Sequence, residues 1–443
     1  LEIKSAQRSI EMLKSVATTN AEPRWAISRP LAARADQSKV SELLSALSDL
    51  RVVDFVSEDP KDVHTYGLDE PEHEVSVWSG AGDDGKTLLL GRALTNDASK
   101  IYAKLRGADS IVTVPAGEAH KFAMQVNDLR DHRLLNLAAT DVRGIELQRG
   151  TDVLALARDD KGWKVAGVAA EDAVVDQMLS QIVNLNAKEF TADVAADLDK
   201  FGLAPAPLTV TLSNVRTNIV AQLLVSSDNP AAALRYVKGA DEAFVYGIET
   251  NALSLLPARA LDMRVRRVAD IKPEAITKLT LQRAAGTVVL EHAADKSWRL
   301  VEPPQGVLDN DALNQLLDAL GNLRAQEFVR EGLDDLAEYG LDKPELTVIA
   351  QVAGKTWTLA IGKPAQFGWQ YASWSDPGLV FTLPVPTVAT LTKTLVTTPA
   401  TSSTDAPPVA PPGPRPRRPG PARRSRAASS TTRAREPTRR AGS

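Results

Sequence analysis

The sequence has no cysteine, which excludes disulfides, thiolate metal centres and a cysteine nucleophile. That absence fits the cytosol and the periplasm equally and fixes no compartment. No run of about eighteen apolar residues occurs, so no segment reads as a membrane-spanning helix. The sequence opens on Leu1 rather than Met, so a signal peptide or anchor upstream of residue 1 is an expectation left open. Histidine is scarce: His64, His73, His120, His132 and His292 are scattered. Neither HExxH nor GxSxG occurs, and no cofactor, metal or catalytic residue is expected.

What is present is ordinary globular material with one unusual end. Hydrophobic residues make up 43% of the 443, enough for real cores, and the formal charge is −4. Residues 401–443 carry ten Arg against Asp405 and Glu436, a net of +8, which leaves −12 for residues 1–400. The acidic part offers no surface for nucleic acid. The tail, with nine Pro and almost no large aliphatic residue, is expected to be disordered. It reads as a solvated stretch or an out-of-frame translation in preference to a polybasic site for anionic lipid.

Self-similarity is the strongest signal. Residues 36–55, 171–190 and 309–328 align without gaps, at offsets of 135 and 138. Apolar residues recur at helical spacing in each: Val40, Leu43, Leu44, Leu47; Val175, Met178, Leu179, Ile182; Leu313, Leu316, Leu317, Leu320. This stripe predicts an amphipathic core helix per repeat. Before it, alternating segments ending in Trp25, Trp163 and Trp298 read as hairpins. After it come Gly67, Gly202 and Gly340, each suited to a left-handed cap that ends a helix. Short alternating strands follow, and segments 116–135 and 249–268 read as linking helices. The predicted class is therefore α+β, with a hairpin, an amphipathic helix, an antiparallel meander and a linking helix per unit. The repeats are bounded at 1–144, 145–278 and 279–397, the last incomplete, with the tail from 398 to 443.

The residues of the third unit carry a resemblance. Tyr339, Gly340, Leu341, Asp342, Pro344 and Glu345, then Gly354, Lys355, Thr356 and Gly362, Tyr371, Ala372 and Val380 to Pro384 follow in order. They resemble the bacterial Domain of Unknown Function 4340 family, and most of the motif recurs in the first unit. The resemblance carries no activity or catalytic residues. It implies an N-terminal membrane anchor, a position outside the cytoplasm, and genes near ABC transport systems.

Several local patterns compete with this reading. GAGDDGKT, Gly80 to Thr87, satisfies the phosphate-loop spacing GxxxxGK[ST]. A phosphate loop requires a buried strand before it and a helix after it, whereas both flanks here alternate as strands, and Asp83 and Asp84 put negative charge where an anion would sit. The third unit keeps Gly354, Lys355 and Thr356 with a shorter turn, so the octapeptide reads as a lengthened hairpin turn and nucleotide binding is disfavoured. The acidic cluster Asp69, Glu70, Glu72 and the pair His64, His73 suggest a metal site, but unit two has Ala204, Pro205, Ala206 and Pro207 there. Trp357, Phe367, Trp369, Tyr371 and Trp374 form an aromatic group that suits a ligand platform for glycan or peptide, or equally cross-strand packing. The basic clusters Arg130, His132, Arg133 and Arg264, Arg266, Arg267 read as a solvated face or as charge pairing at a helix end. The leading expectation is a non-enzymatic, extracytoplasmic repeat protein, anchored at the inner membrane and acting as a scaffold or accessory subunit. Its partners would be protein components of a transport or envelope complex. The alternative is a ligand-binding module using the aromatic group.

Overall fold

Alternation of apolar and polar residues makes strands the dominant element of every repeat. The computed structural model describes residues 1–397 apart from 17–21, 59–61, 81, 232, 294 and 296; the Pro- and Arg-rich stretch read as disordered lies outside the described residues. In the first repeat, β1 (Glu2–Ser5), β2 (Arg8–Lys14), β3 (Trp25–Arg29) and β4 (Ala33–Arg34) precede the helix α1 (Gln37–Asp49). After it come β5 (Asp54–Ser57), β6 (His73–Val77), β7 (Lys86–Ala93), β8 (Lys100–Leu105) and β9 (Ile111–Pro115). They form one antiparallel sheet in the order β4-β3-β2-β1-β6-β7-β8-β9-β5. The front hairpin joins the meander where Ile3 faces Val75, and the strand after the helix crosses to the far edge, where Phe55 faces Val112. The helix thus carries the backbone from one sheet edge to the other, over the apolar face. Val40, Leu43 and Ala46 are buried there with Ile3, Met12, Val75, Leu90 and Ile101.

The plan recurs. A second nine-stranded sheet spans Gly144–Glu249 and encloses Val175, Met178, Leu179 and Ile182; the third spans Ile276–Leu383 with eight strands around Leu313, Leu316, Leu317 and Leu320. Between the first two sheets lies α2 (Ala116–Ala119); the core helices of the later repeats are α3 (Asp172–Val183) and α4 (Asn310–Gly321), and α5 (Val385–Thr392) follows the third sheet. Asp36 starts α1 by accepting from the amides of Ser38 and Lys39 at 2.8 and 3.1 Å, and Asp309 starts α4 by accepting from Ala312 at 2.9 Å. Trp163 lies against α3, its amide donating to Asp172 at 2.6 Å and its indole to Asp176 at 2.8 Å.

The α+β expectation is overturned: among the described residues the fold is mostly antiparallel β-sheet, with five α-helices of four to thirteen residues. The two segments read as linking helices account for most of the difference. Segment 116–135 holds the four-residue α2 and single 3-10 turns, and segment 249–268 holds 3-10 turns alone. Their backbone groups pair across elements instead of along a helix. Leu129 accepts from the Asp36 amide at 2.8 Å, and the Asp131 amide donates to Arg34 at 2.9 Å. A helix would consume those groups internally, and the tertiary pairing wins. The glycine caps also fall elsewhere than read. Gly67, Gly202 and Gly340 adopt φ of 64°, 63° and 68°, but they end short 3-10 turns (His64–Tyr66, Leu198–Phe201, Leu336–Tyr339) and not the core helices.

Candidate functional site

The octapeptide from Gly80 sits in the turn between β6 and β7. Lys86 opens β7, so a strand stands where a nucleotide loop needs a helix N-terminus. The turn supplies its own anion. Asp83 accepts from the Ser79 hydroxyl at 2.5 Å, the Ser79 amide at 2.8 Å and the Gly85 amide at 3.0 Å. These donors, the Ser79 hydroxyl foremost, hold the Asp83 carboxyl at about 2, below its ordinary 3.8. A depressed folded-state value means that this contribution is present above the ordinary value and is lost as pH falls through about 2. An NMR titration is expected to place the Asp83 midpoint near that value, with the Gly85 amide shift following it; a midpoint at the ordinary value contradicts the turn geometry.

The aromatic group does not share one face. Trp374 is buried and stacks on the half-buried Trp357 at 5.8 Å, within the third core. Tyr371 packs on Tyr339 at 5.1 Å, against the turn before Gly340. Phe367 is 81% exposed and lies 5.2 Å from Trp369. Phe367 also holds φ of 58°, a left-handed conformation unusual for a bulky residue. Of the five, Phe367 and Trp369 form an outward pair.

The histidines and acids of the first repeat are likewise apart in role. His64 pairs with Asp69 at 2.8 Å in the open, and that hydrogen bond raises its pKa. His73 opens β6, with burial pushing its pKa down. A hollow of about 900 Å³ runs along the flank of α1 beside Glu118, Lys121 and Met124, and none of the sequence-derived candidates lines it.

The residues with the most specific environment lie in the basic clusters: Arg133, Arg266 and Arg267 are exposed, as a solvated face would have it, whereas Arg130 is buried and Arg264 half-buried. Arg130 is 1% exposed. Its guanidinium lies 3.9 Å from the centre of the Phe190 ring and 4.4 Å from that of Phe244, both from the second repeat. It donates to Asp193 at 2.6 Å and to Asn127 at 3.2 Å. Beside it the backbones bridge: the Ala187 amide donates to His132 at 2.7 Å and the Leu134 amide to Leu185 at 2.9 Å. His132 meets the Phe190 edge at 4.9 Å and bonds the Ala187 carbonyl at 2.8 Å. The extended end of the first linker is thus stitched to the exit of the second repeat's helix.

The same joint recurs between the second and third repeats, 134 residues on by the Arg. Arg264 pairs with Glu331 at 2.9 Å and lies 5.8 Å from Phe328. The Ala325 amide donates to Arg266 at 2.8 Å and the Val268 amide to Leu323 at 2.9 Å. Arg324 adds a contact to Glu171 at 3.3 Å, where the second helix begins. Leu379 stands where the first joint has Phe244, so Arg264 lacks a second ring. Each joint combines two backbone bonds, a cation over an aromatic ring and an ion pair. The buried cation–ring contact is the strongest part, worth about 2 kcal/mol when desolvated. The ion pairs are half exposed on the acid side, 53% for Asp193 and 62% for Glu331, and screening keeps their contribution small.

Sequence reading had flagged these arginines and missed their role, because a basic cluster after a supposed helix fits solvent equally well. The signal that identifies them is paired spacing. Phe190 and Asp193 stand three apart, as do Phe328 and Glu331, and an Arg precedes the Phe by 60 residues in the first joint and by 64 in the second.

A family model described as Domain of unknown function (DUF4340) matches residues 25–194, 165–332 and 298–397. The chain belongs to that family, in tandem copies. No curated protein and no solved structure matches it. The first match contains Arg130, Phe190 and Asp193, and the second contains Arg264, Phe328 and Glu331, so each joint lies inside a single family match.

Proposed function

We propose that this member of the family is a non-enzymatic scaffold or accessory subunit of a membrane transport or envelope complex, working on the extracytoplasmic side of the inner membrane. The observation that supports it is the repeated joint. An Arg set against an aromatic ring and two backbone bonds at each junction couple each repeat to the next, a device for holding protein-binding surfaces at set spacing. The extracytoplasmic placement and the transport partners rest on the family resemblance. The direct test is co-purification of the chain with the products of its neighbouring genes, using the wild type and Arg130→Ala. A stable complex that weakens in the variant supports the scaffold; absence of any complex, together with turnover of a small molecule by the isolated chain, overturns it.

A second reading, a ligand-binding module for glycan or peptide, is favoured by one observation: Phe367 projects into solvent beside Trp369 from a left-handed backbone. Quenching or enhancement of Trp fluorescence by an added glycan, lost in Phe367→Ala, would support that reading, and an unchanged spectrum across a glycan panel would count against it.

A further inference from the structure

The two joints share a plan and differ in what fills them. In the first, Arg130 lies between two rings, and the His132 ring closes the remaining side, 4.9 Å from Phe190 with its Nδ1 donating to the Ala187 carbonyl at 2.8 Å. In the second, Leu379 replaces one ring and Arg266 takes the place of His132. Arg266 is exposed, and among the described residues its side chain has no hydrogen-bonding or ionic partner and nothing donates to the Ala325 carbonyl. The space that His132 fills in the first joint is matched here by a hollow of about 300 Å³ lined by Arg259, Arg264, Arg266, Glu327 and Phe328.

The fastenings differ as well. The first linker is also gripped from its own repeat: Arg34 donates to the Leu134 carbonyl at 3.1 Å and Arg24 to Asn136 at 3.1 Å. Ala169 and Gly162 stand at those places in the second repeat and have no side-chain donor. What the second joint has instead is polar and open to water. Arg259 donates to the carbonyls of Phe328 and Val329 at 3.0 and 2.9 Å, Arg264 pairs with Glu331, and Arg324, 56% exposed, pairs with Glu171 at 3.3 Å. Ion pairs this accessible weaken as salt rises, whereas a cation enclosed by two rings is shielded from it.

We infer that the second joint is an articulation set by ionic strength. Repeats 1 and 2 form one rigid unit, and repeat 3 turns against them on the two backbone bonds, Ala325 to Arg266 and Val268 to Leu323. The exposed contacts of Arg264 and Arg324 hold the closed setting, and salt releases it. The hollow supplies the room, because Arg264 can shift against Phe328 without breaking a packed sandwich like that around Arg130. A chain built this way keeps one fixed spacing between repeats and one adjustable spacing. The articulation goes beyond the scaffold role and stands on the joint geometry alone.

The absence of cysteine makes the test clean, since spin labels attach only where a cysteine is introduced. In the full chain, Asp109→Cys with Asp199→Cys reports on the first joint and Asp199→Cys with Lys343→Cys on the second; all three positions are exposed. The distance distribution across the first joint is expected to be narrow and the same at about 0.05 M and about 1 M sodium chloride. Across the second it is expected to be about twice as broad or more and to widen with salt, while exchange at the Val268 and Ala325 amides speeds up about threefold or more and that at Leu134 and Ala187 does not. Arg266→His, a substitution at an exposed side chain that restores the ring of the first joint, is expected to narrow the distribution and reduce its salt response. Equally narrow distributions across both joints at both salt concentrations overturn the articulation. So does a salt response of the same size at the two joints, or one that Arg266→His leaves unchanged.

Discussion

Replacing Arg130 by Ala is expected to destabilise the protein by about 2–4 kcal/mol, the loss of a desolvated cation–ring contact plus the space left between Phe190 and Phe244. Arg130 sits 3.9 and 4.4 Å from two rings and is 1% exposed, so no water replaces its contacts cheaply. Its acid partner contributes less, because Asp193 is half in solvent and is rehydrated when the Arg is gone. Arg264→Ala should cost about 1 kcal/mol, since that guanidinium is 5.8 Å from one ring. Arg130→Lys keeps the charge and loses the flat stacking surface, and is expected to recover less than half of the loss. Urea unfolding measures all of these. The first variant should also broaden the transition, as repeat 1 uncouples from repeat 2. Equal losses for Arg130→Ala and Arg264→Ala would contradict the ring geometry.

Gly362→Ala and Gly91→Ala are the second pair with large expected effects. A methyl group at Gly362 would lie 2.3 Å from the Tyr339 carbonyl oxygen, and one at Gly91 would lie 2.3 Å from that of Tyr66. Backbone is on both sides of each clash, so no side-chain rotation relieves it. The expected cost is about 2–3 kcal/mol each, at the upper end of overpacking effects, read as a fall in thermal midpoint. The cause is closeness and not backbone conformation, because neither glycine has a positive φ. The second repeat provides an internal control. Ser226 follows Val225, the residue that pairs with Leu208 as Ile361 pairs with Leu346, and there a methyl group at the turn glycine Gly202 would lie 3.8 Å from the Ser226 Cβ, ordinary van der Waals contact. Ser226 accepts from the Tyr236 amide at 2.9 Å and donates to the Ser227 carbonyl at 2.7 Å, so Ser226→Gly is expected to destabilise by about 1–3 kcal/mol through these lost bonds and not through crowding.

These two cases mark the boundary of what the sequence could reveal. The core stripe of Leu313, Leu316, Leu317 and Leu320 was legible because burial on one helix face imposes a periodicity that survives in any context. The three turn glycines were legible because a left-handed residue has few alternatives to Gly. The predominance of sheet was not, since the linkers are apolar enough for helix and take extended backbone only because Asp36, Leu185 and Leu323 offer pairing partners from elsewhere. Arg130 was illegible for a related reason: charge reads as solvent exposure until two aromatic rings, 60 and 114 residues later in the chain, are brought over it. The aromatic group of the third repeat failed as a single face because β-pleating sends Tyr371 and Trp374 to opposite sides while Phe367 lies in a turn before the strand.

Residue-resolved hydrogen exchange of the wild type and Arg130→Ala tests most directly whether the arginine joints hold the repeats together. The joint predicts a selective loss of protection at the Leu134 and Ala187 amides in the variant, with Val268 and Ala325 at the second joint unchanged. Full protection retained at Leu134 and Ala187, or a uniform loss at both joints, would contradict it.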